Sequence, residues 1–89
     1  MQIRVVPINN PTGLHTRACA RIVQIASRFR STIFLRVKGR RVSARSIVAV
    51  MLLTASVGAT VRIEVDGPDE AAAMKAIAAL FHDGLGERG

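Results

Sequence analysis

The stretch Asn9-Asn10-Pro11-Thr12-Gly13-Leu14-His15-Thr16-Arg17 decides how this chain is read. Before it, Ile3 to Ile8 is a short β-favouring run. The Asn-Asn-Pro-Thr-Gly segment is a loop. Beyond it the apolar residues change their spacing. Cys19, Ile22, Val23, Ala26 and Phe29 fall on one side of a helix predicted over Thr16–Phe29, with Arg17, Arg21, Gln24 and Arg28 on the other. The chain therefore passes from strand to helix at His15. A histidine placed there meets three needs of a phosphoryl acceptor. Imidazole is a nucleophile at neutral pH. The first helical turn offers free N–H groups and a positive pole to an anion. Arg17, two residues on, carries a planar fork of donors that matches phosphate oxygens. The same position also suits an exposed histidine that merely caps the helix.

The rest of the chain extends this alternation of strand and helix. Thr32–Val37 is rich in β-formers, Lys38-Gly39-Arg40 makes a turn, and Arg41–Ala44 returns as a second strand. Thr60–Asp66 alternates, with Val61, Ile63 and Val65 facing one way and Thr60, Arg62, Glu64 and Asp66 the other. Gly67-Pro68-Asp69-Glu70 opens a last helix with proline and acids where a helix start favours them. Met74, Ile77, Leu80 and Phe81 give that helix a buried face, and Gly84 stops it. The run Ile47–Leu53 is wholly apolar and reads as a buried strand by composition alone. Ser46 is a good N-cap residue and Met51-Leu52-Leu53 are good helix formers, so a short helix is preferred. Such a helix is apolar nearly all round, which leaves some of Ile47, Val48, Met51 and Leu52 exposed as a contact surface. The order β-α-β-β-α-β-α predicts an α+β fold in a single domain over residues 1–89. It is a two-layer open-faced sandwich: a four-stranded antiparallel sheet with three helices on one face.

Hydrophobic residues make up 49% of the chain, enough for a core, and without Trp or Tyr that core must be aliphatic. The single Cys19 excludes an internal disulfide. It should face inward, although its nearness to a helix start could lower its pKa and suggests redox chemistry as a minor alternative. His15 and His82 are far apart and no Cys or acid cluster has ligand spacing, so neither a metal nor another cofactor is expected. The longest apolar run falls far short of a bilayer span, and the N-terminal stretch lacks a signal pattern, so the chain reads as soluble and cytoplasmic, without membrane insertion. The net charge is +7, unevenly spread. No acid precedes Glu64, while eleven bases do; from Glu64 onward there are six acids and two bases. A positive first part points to acidic proteins, phosphate or nucleic acid. Nucleic acid is the weakest of these, because binding on a sheet usually needs exposed aromatics for stacking.

Gly13-Leu14-His15-x-Arg17, then Ser46-Ile47, then Gly67-x-Asp69-Glu70 and a closing helix follow one another in an order and spacing that span nearly the whole chain. Together they resemble HPr, the histidine-containing phosphocarrier family of the bacterial phosphotransferase system. The resemblance implies that His15 takes a phosphoryl group on Nδ1 from phospho-enzyme I and passes it to a histidine on an enzyme IIA domain. It implies that Thr16 and Arg17 hold the phosphate, and that the protein is a carrier rather than an enzyme, working as a monomer. It also implies Ser46 as a site for an ATP-dependent HPr kinase/phosphorylase. The docking surface is then an apolar centre of Ile47, Val48 and Met51 ringed by Arg17, Arg21, Arg28 and Arg45. Thr16, Ala18 and Cys19 depart from a frequent His-Ala-Arg-Pro-Ala form of the active segment, and Ala49 replaces a glycine often found after the serine. A nitrogen-branch phosphocarrier with a purely regulatory acceptor is the nearest alternative. A small basic nucleic-acid-binding domain is the alternative of another class.

Overall fold

The alternating run Thr60–Asp66 becomes an inner strand of the sheet, and its buried row Val61, Ile63 and Val65 is the floor of the core. In the computed structural model, which describes residues 1–87, the elements are β1 (Gln2–Pro7), α1 (Thr16–Ala26), β2 (Thr32–Val37), β3 (Arg40–Ser43), α2 (Ile47–Met51), β4 (Thr60–Asp66) and α3 (Glu70–His82), followed by a 3₁₀ turn at Gly84–Gly86. The strands lie in the order β1-β4-β2-β3, every pair antiparallel. The three helices cover one face. Ile33, Leu35 and Val37 of β2 join the β4 row against Ala18, Cys19, Ile22 and Ala26 of α1 and Ala73, Met74, Ile77, Ala78 and Phe81 of α3. The predicted order and two-layer sandwich are those observed. Among the described residues no helix is long and apolar enough to cross a membrane.

Local chemistry sets the boundaries. Lys38 and Gly39 both have positive φ (49° and 83°), as a type I′ turn requires, and this pins the β2–β3 register. The run Ile47–Leu53 is a helix and not a strand: Ser46 caps it by accepting from the Ala49 N–H at 3.3 Å, while Val50 and Leu53 anchor it in the core. Helix α1 stops at Ala26, short of the predicted Phe29. The Ser27 hydroxyl donates back to the Val23 carbonyl at 2.7 Å, and the N–H groups of Arg28 and Phe29 take carbonyls only three residues back, which tightens the last turn. Phe29 still packs against the core from outside the helix.

Glu64 departs from the simple alternating picture. It lies in the outward row of β4, yet only 6% of it is exposed. The guanidiniums of Arg41, Arg62 and Arg36 close over it, their Nε atoms 2.9, 3.2 and 3.5 Å from its carboxylate. The Arg41 hydrogen bond, aided by the charges of all three, holds its carboxyl below the usual range against the cost of burial.

The start of α3 is tied to the entry of β2. Asp69 accepts from the Ser31 hydroxyl at 2.5 Å and from the Ser31 and Arg30 N–H groups at 2.9 Å each. Gly67, with φ 149°, fits only because it has no side chain: a Cβ there would lie 2.6 Å from Ser31 Cα. These bonds, the Ser31 hydroxyl foremost, lower the Asp69 pKa from 3.8 to about 2.

Two outcomes follow from these ties. A lowered carboxylate pKa stabilises the fold above the unfolded value, and that stabilisation disappears as pH falls through the folded value. The Asp69 contribution should therefore vanish between about pH 4 and about pH 2, and Asp69→Asn should flatten that part of an acid-unfolding profile followed by circular dichroism. Thr54, the β-branched residue that leaves α2, has φ 47°, a region costly for such side chains. Thr54→Gly should raise stability by about 1 kcal/mol in denaturant titration, and a loss would contradict strain at this position.

Candidate functional site

His15 is positioned by the loop before it. Gly13 has φ 61°, a conformation that suits glycine, and it lies so close to the exit of α2 that a Cβ would stand 2.5 Å from the Ala55 carbonyl oxygen. The Leu14 N–H donates to that same carbonyl at 3.0 Å, and the Leu14 side chain is buried. The Gly13 carbonyl accepts from the His15 N–H at 3.0 Å and from the buried Asn10 Nδ2 at 2.8 Å. The chain thus enters α1 at a fixed angle with His15 as its N-cap residue, in extended conformation (φ −82°, ψ 171°). The His15 side chain makes no capping hydrogen bond and the first turn holds no acid. The opening N–H groups at Thr16 and Arg17 therefore have no side-chain acceptor from the cap, the condition under which a helix start accepts an anion.

The imidazole is 31% exposed, and that exposure is not shared equally. Nε2 is buried, without a hydrogen-bond partner among the described residues, 3.5 Å from Oε1 of Glu87. Glu87 is itself held in place. The Thr12 hydroxyl donates to both of its oxygens, at 2.7 Å to Oε2, and Asn10 Nδ2 donates to Oε2 at 2.8 Å. Those two donors, with the nearby charges of His15 and Arg21, keep the Glu87 carboxyl below its ordinary range. A carboxylate beside Nε2 is placed to pair with a ring proton on that nitrogen.

Glu87 was not recognisable in the sequence as a site residue. Its partners Thr12 and Asn10 are 75 and 77 positions away, and no local motif marks it. The signal that existed was the Gly84-Leu85-Gly86 turn, whose three residues all have positive φ and swing Glu87 back to the first loop. Arg21 fastens this turn, donating from Nη1 to the Leu85 carbonyl at 2.8 Å.

The other sequence candidates are divided by the fold. Thr16 and Arg17 are exposed in the first turn beside His15. Arg17, Ala20, Arg21, Val23, Gln24 and Ile47 line a shallow groove between α1 and α2. Ser46 is exposed at the α2 cap. Ile47, Val48, Met51 and Leu52 are exposed as expected of a short apolar helix, Val48 by 64%. Arg28 and Arg45 lie toward the end of α1 remote from His15. Arg28 follows the far end of α1, about 20 Å along the helix from His15. Arg45 directs its guanidinium to the carbonyls of Phe29 and Ser31 at that same end. Both lie away from His15, although Arg45 is only two residues before Ile47 of the apolar centre, and Arg21 serves the Leu85 turn as much as the groove. Cys19 is fully buried, its S–H toward the Leu14 carbonyl at 3.6 Å. Burial pushes its thiol up, opposite to the lowering that a helix start suggests, and this removes the basis for a redox role. Among the described residues no group of His, Cys, Asp and Glu could hold a metal ion.

The chain resembles known proteins over most of its length. The family model described as the PTS HPr component phosphorylation site matches residues 3–83. The phosphocarrier protein HPr of Xylella fastidiosa is 48% identical over 80 residues, 90% of each chain. The phosphocarrier protein NPr of Proteus mirabilis is 37% identical over 87 residues, 97% of each. The crystal structure of HPr-C-His from Thermoanaerobacter tengcongensis superimposes with a TM-score of 0.94 at 38% identity, covering all of both chains.

Because Gly13 permits the loop to touch Ala55, Gly13→Ala should be among the most damaging single changes. It meets both a left-handed φ and a backbone collision, and should cost roughly 2–4 kcal/mol in denaturant titration. A Gly13→Ala variant as stable as the parent would mean that the approach to Ala55 does not set the loop.

Proposed function

The chain belongs to the HPr family of phosphotransferase-system phosphocarriers, and from that premise we propose that it accepts a phosphoryl group on Nδ1 of His15 from phospho-enzyme I and passes it to enzyme IIA domains. The observation that carries this reading is the asymmetry of the His15 ring. Glu87 stands 3.5 Å from the buried Nε2, and the exposed Thr16 and Arg17 follow His15 in the first turn of α1, whose N–H groups receive no cap from the His15 side chain.

In the forward step the Nδ1 lone pair attacks the phosphorus, a new N–P bond forms, and the bond to the donor breaks with its electron pair returning to enzyme I. The ring keeps its proton on Nε2 and gains cationic character, which the Glu87 carboxylate offsets at 3.5 Å. The phosphoryl oxygens meet the N–H groups at Thr16 and Arg17 and the Arg17 guanidinium. Transfer to the acceptor reverses these changes. Little else is required of the carrier, since phosphoryl transfer depends mainly on positioning and charge stabilisation. In this reading the protein is a carrier and not an enzyme, one domain over residues 1–89, acting as a cytoplasmic monomer without a cofactor.

The docking surface is the α1–α2 side, with exposed Ile47, Val48 and Met51 beside Arg17 and Arg21. Acidic faces on enzyme I and enzyme IIA complement it. Ser46 is the regulatory site, modified by an HPr kinase/phosphorylase. Its exposed hydroxyl caps α2, where a phosphate is favourable within the domain, and the added negative charge would repel acidic partners. The relative named NPr keeps a regulatory, nitrogen-branch carrier as the second reading, and the identity of the enzyme IIA that accepts the group distinguishes the two.

Intact mass after incubation with phosphoenolpyruvate, Mg²⁺ and enzyme I should show one added acid-labile phosphoryl group, absent in His15→Ala. An unmodified parent protein beside a demonstrably active enzyme I would end the carrier reading. Glu87→Gln should slow phosphorylation roughly three- to tenfold in stopped assays while His15 remains the modified residue. Ser46→Asp should weaken the complex with enzyme I and leave thermal stability nearly unchanged. An unaltered enzyme I affinity would separate Ser46 from the docking surface.

A further inference from the structure

The helices cover one face of the sheet, and the other face is open. Its residues follow from the strand register. One cross-strand row is Ile3, Glu64, Phe34 and Ser43; the next is Val5, Arg62, Arg36 and Arg41. The second row places three arginines side by side on β4, β2 and β3, at the interstrand spacing of about 4.8 Å. Like charges directly opposite one another across strands are destabilising. A solvated face needs only mixed charges and gains nothing from this arrangement.

Among the described residues only Glu64 relieves it, and one carboxylate cannot balance three guanidiniums. Two positive charges remain, and Arg36 Nε is buried without a hydrogen-bond partner, 3.5 Å from Glu64. The side chains of Arg36, Arg41 and Arg62 keep 40–47% of their exposure, so they have donors to offer. Beside them, Ile3 and Val5 are 50% and 61% exposed, an apolar strip along edge strand β1.

We propose that this open sheet face is a second docking surface, which takes an acidic protein segment through Arg36, Arg41 and Arg62 and packs apolar side chains of that segment on Ile3 and Val5. Carboxylates match guanidiniums in pairs of parallel hydrogen bonds and would remove the like-charge repulsion of the row. Single-stranded nucleic acid fits less well, because it needs free aromatic faces. The one aromatic here, Phe34, is covered by Arg41, whose Cζ stands 3.7 Å from the ring centroid. The face is about 15 Å across its four strands, which suits a small, transient interface. His15 caps α1 in the helical layer, so a segment bound on the sheet leaves it uncovered.

The test is an amide NMR titration with a synthetic twelve-residue peptide of alternating Glu and Val, run beside a single-stranded oligothymidylate of the same charge. Peptide shifts should appear at Ile3, Val5, Phe34, Arg36 and Arg62 and be absent along α1. The double variant Arg36→Gln/Arg62→Gln, which keeps Arg41 on Glu64, should bind the peptide about tenfold more weakly. Arg36→Gln alone should be as stable as the parent or more so, because it removes a like charge from the row. Shifts confined to the α1–α2 groove, an unchanged affinity in the double variant, or no binding would overturn the proposal. Tighter binding of the oligothymidylate on the sheet would overturn it in favour of nucleic acid.

Discussion

The contact between Gly13 and the Ala55 carbonyl is the constraint on which the site depends. A backbone brought within 2.5 Å of a Cβ position leaves room for one residue type only. Through that contact the loop before α1 and the loop after α2 fix each other, and the Leu14 N–H closes the pair with a hydrogen bond to the same carbonyl. The direction in which α1 starts, and so the direction in which His15 and the open N–H groups point, follows from it. The exposed apolar face of α2 is brought to the same side of the molecule by the same contact.

The excess of arginine resolves into distinct duties. Arg21 and Arg45 end on main-chain carbonyls at Leu85 and at Phe29 and Ser31, and Arg40 on that of Leu52. These side chains help to fasten turns. Arg36, Arg41 and Arg62 gather around Glu64 on the open face of the sheet. Arg17 has neither duty among the described residues, and it is exposed beside His15. A positive charge read from composition therefore mixes structural and functional parts, and only geometry separates them.

The periodicities at Thr16–Ala26, Thr60–Asp66 and Glu70–His82 made the sandwich legible from the sequence, because apolar spacing is a local property. Ser46 resolved the ambiguous apolar run correctly for the same reason: a cap is local too. Long-range packing was not legible. Helix α1 lost its last turn to a serine hydroxyl, Glu64 left solvent because β2 and β3 as well as its own strand supplied arginines, and Arg28 and Arg45 lie toward the end of α1 remote from His15. The His15 and Arg17 half of the site was visible in one pentapeptide. The Glu87 half was not, since it depends on a turn of positive-φ residues and on Thr12 and Asn10 at the other end of the chain.

That last dependence separates the folding of the domain from the surroundings of its histidine. The sheet, the helices and the His15 loop lie within residues 2–82. Glu87 touches that frame through Asn10, Thr12 and the neighbourhood of Nε2. Removing its carboxylate would therefore leave a folded domain whose histidine is uncovered on one edge.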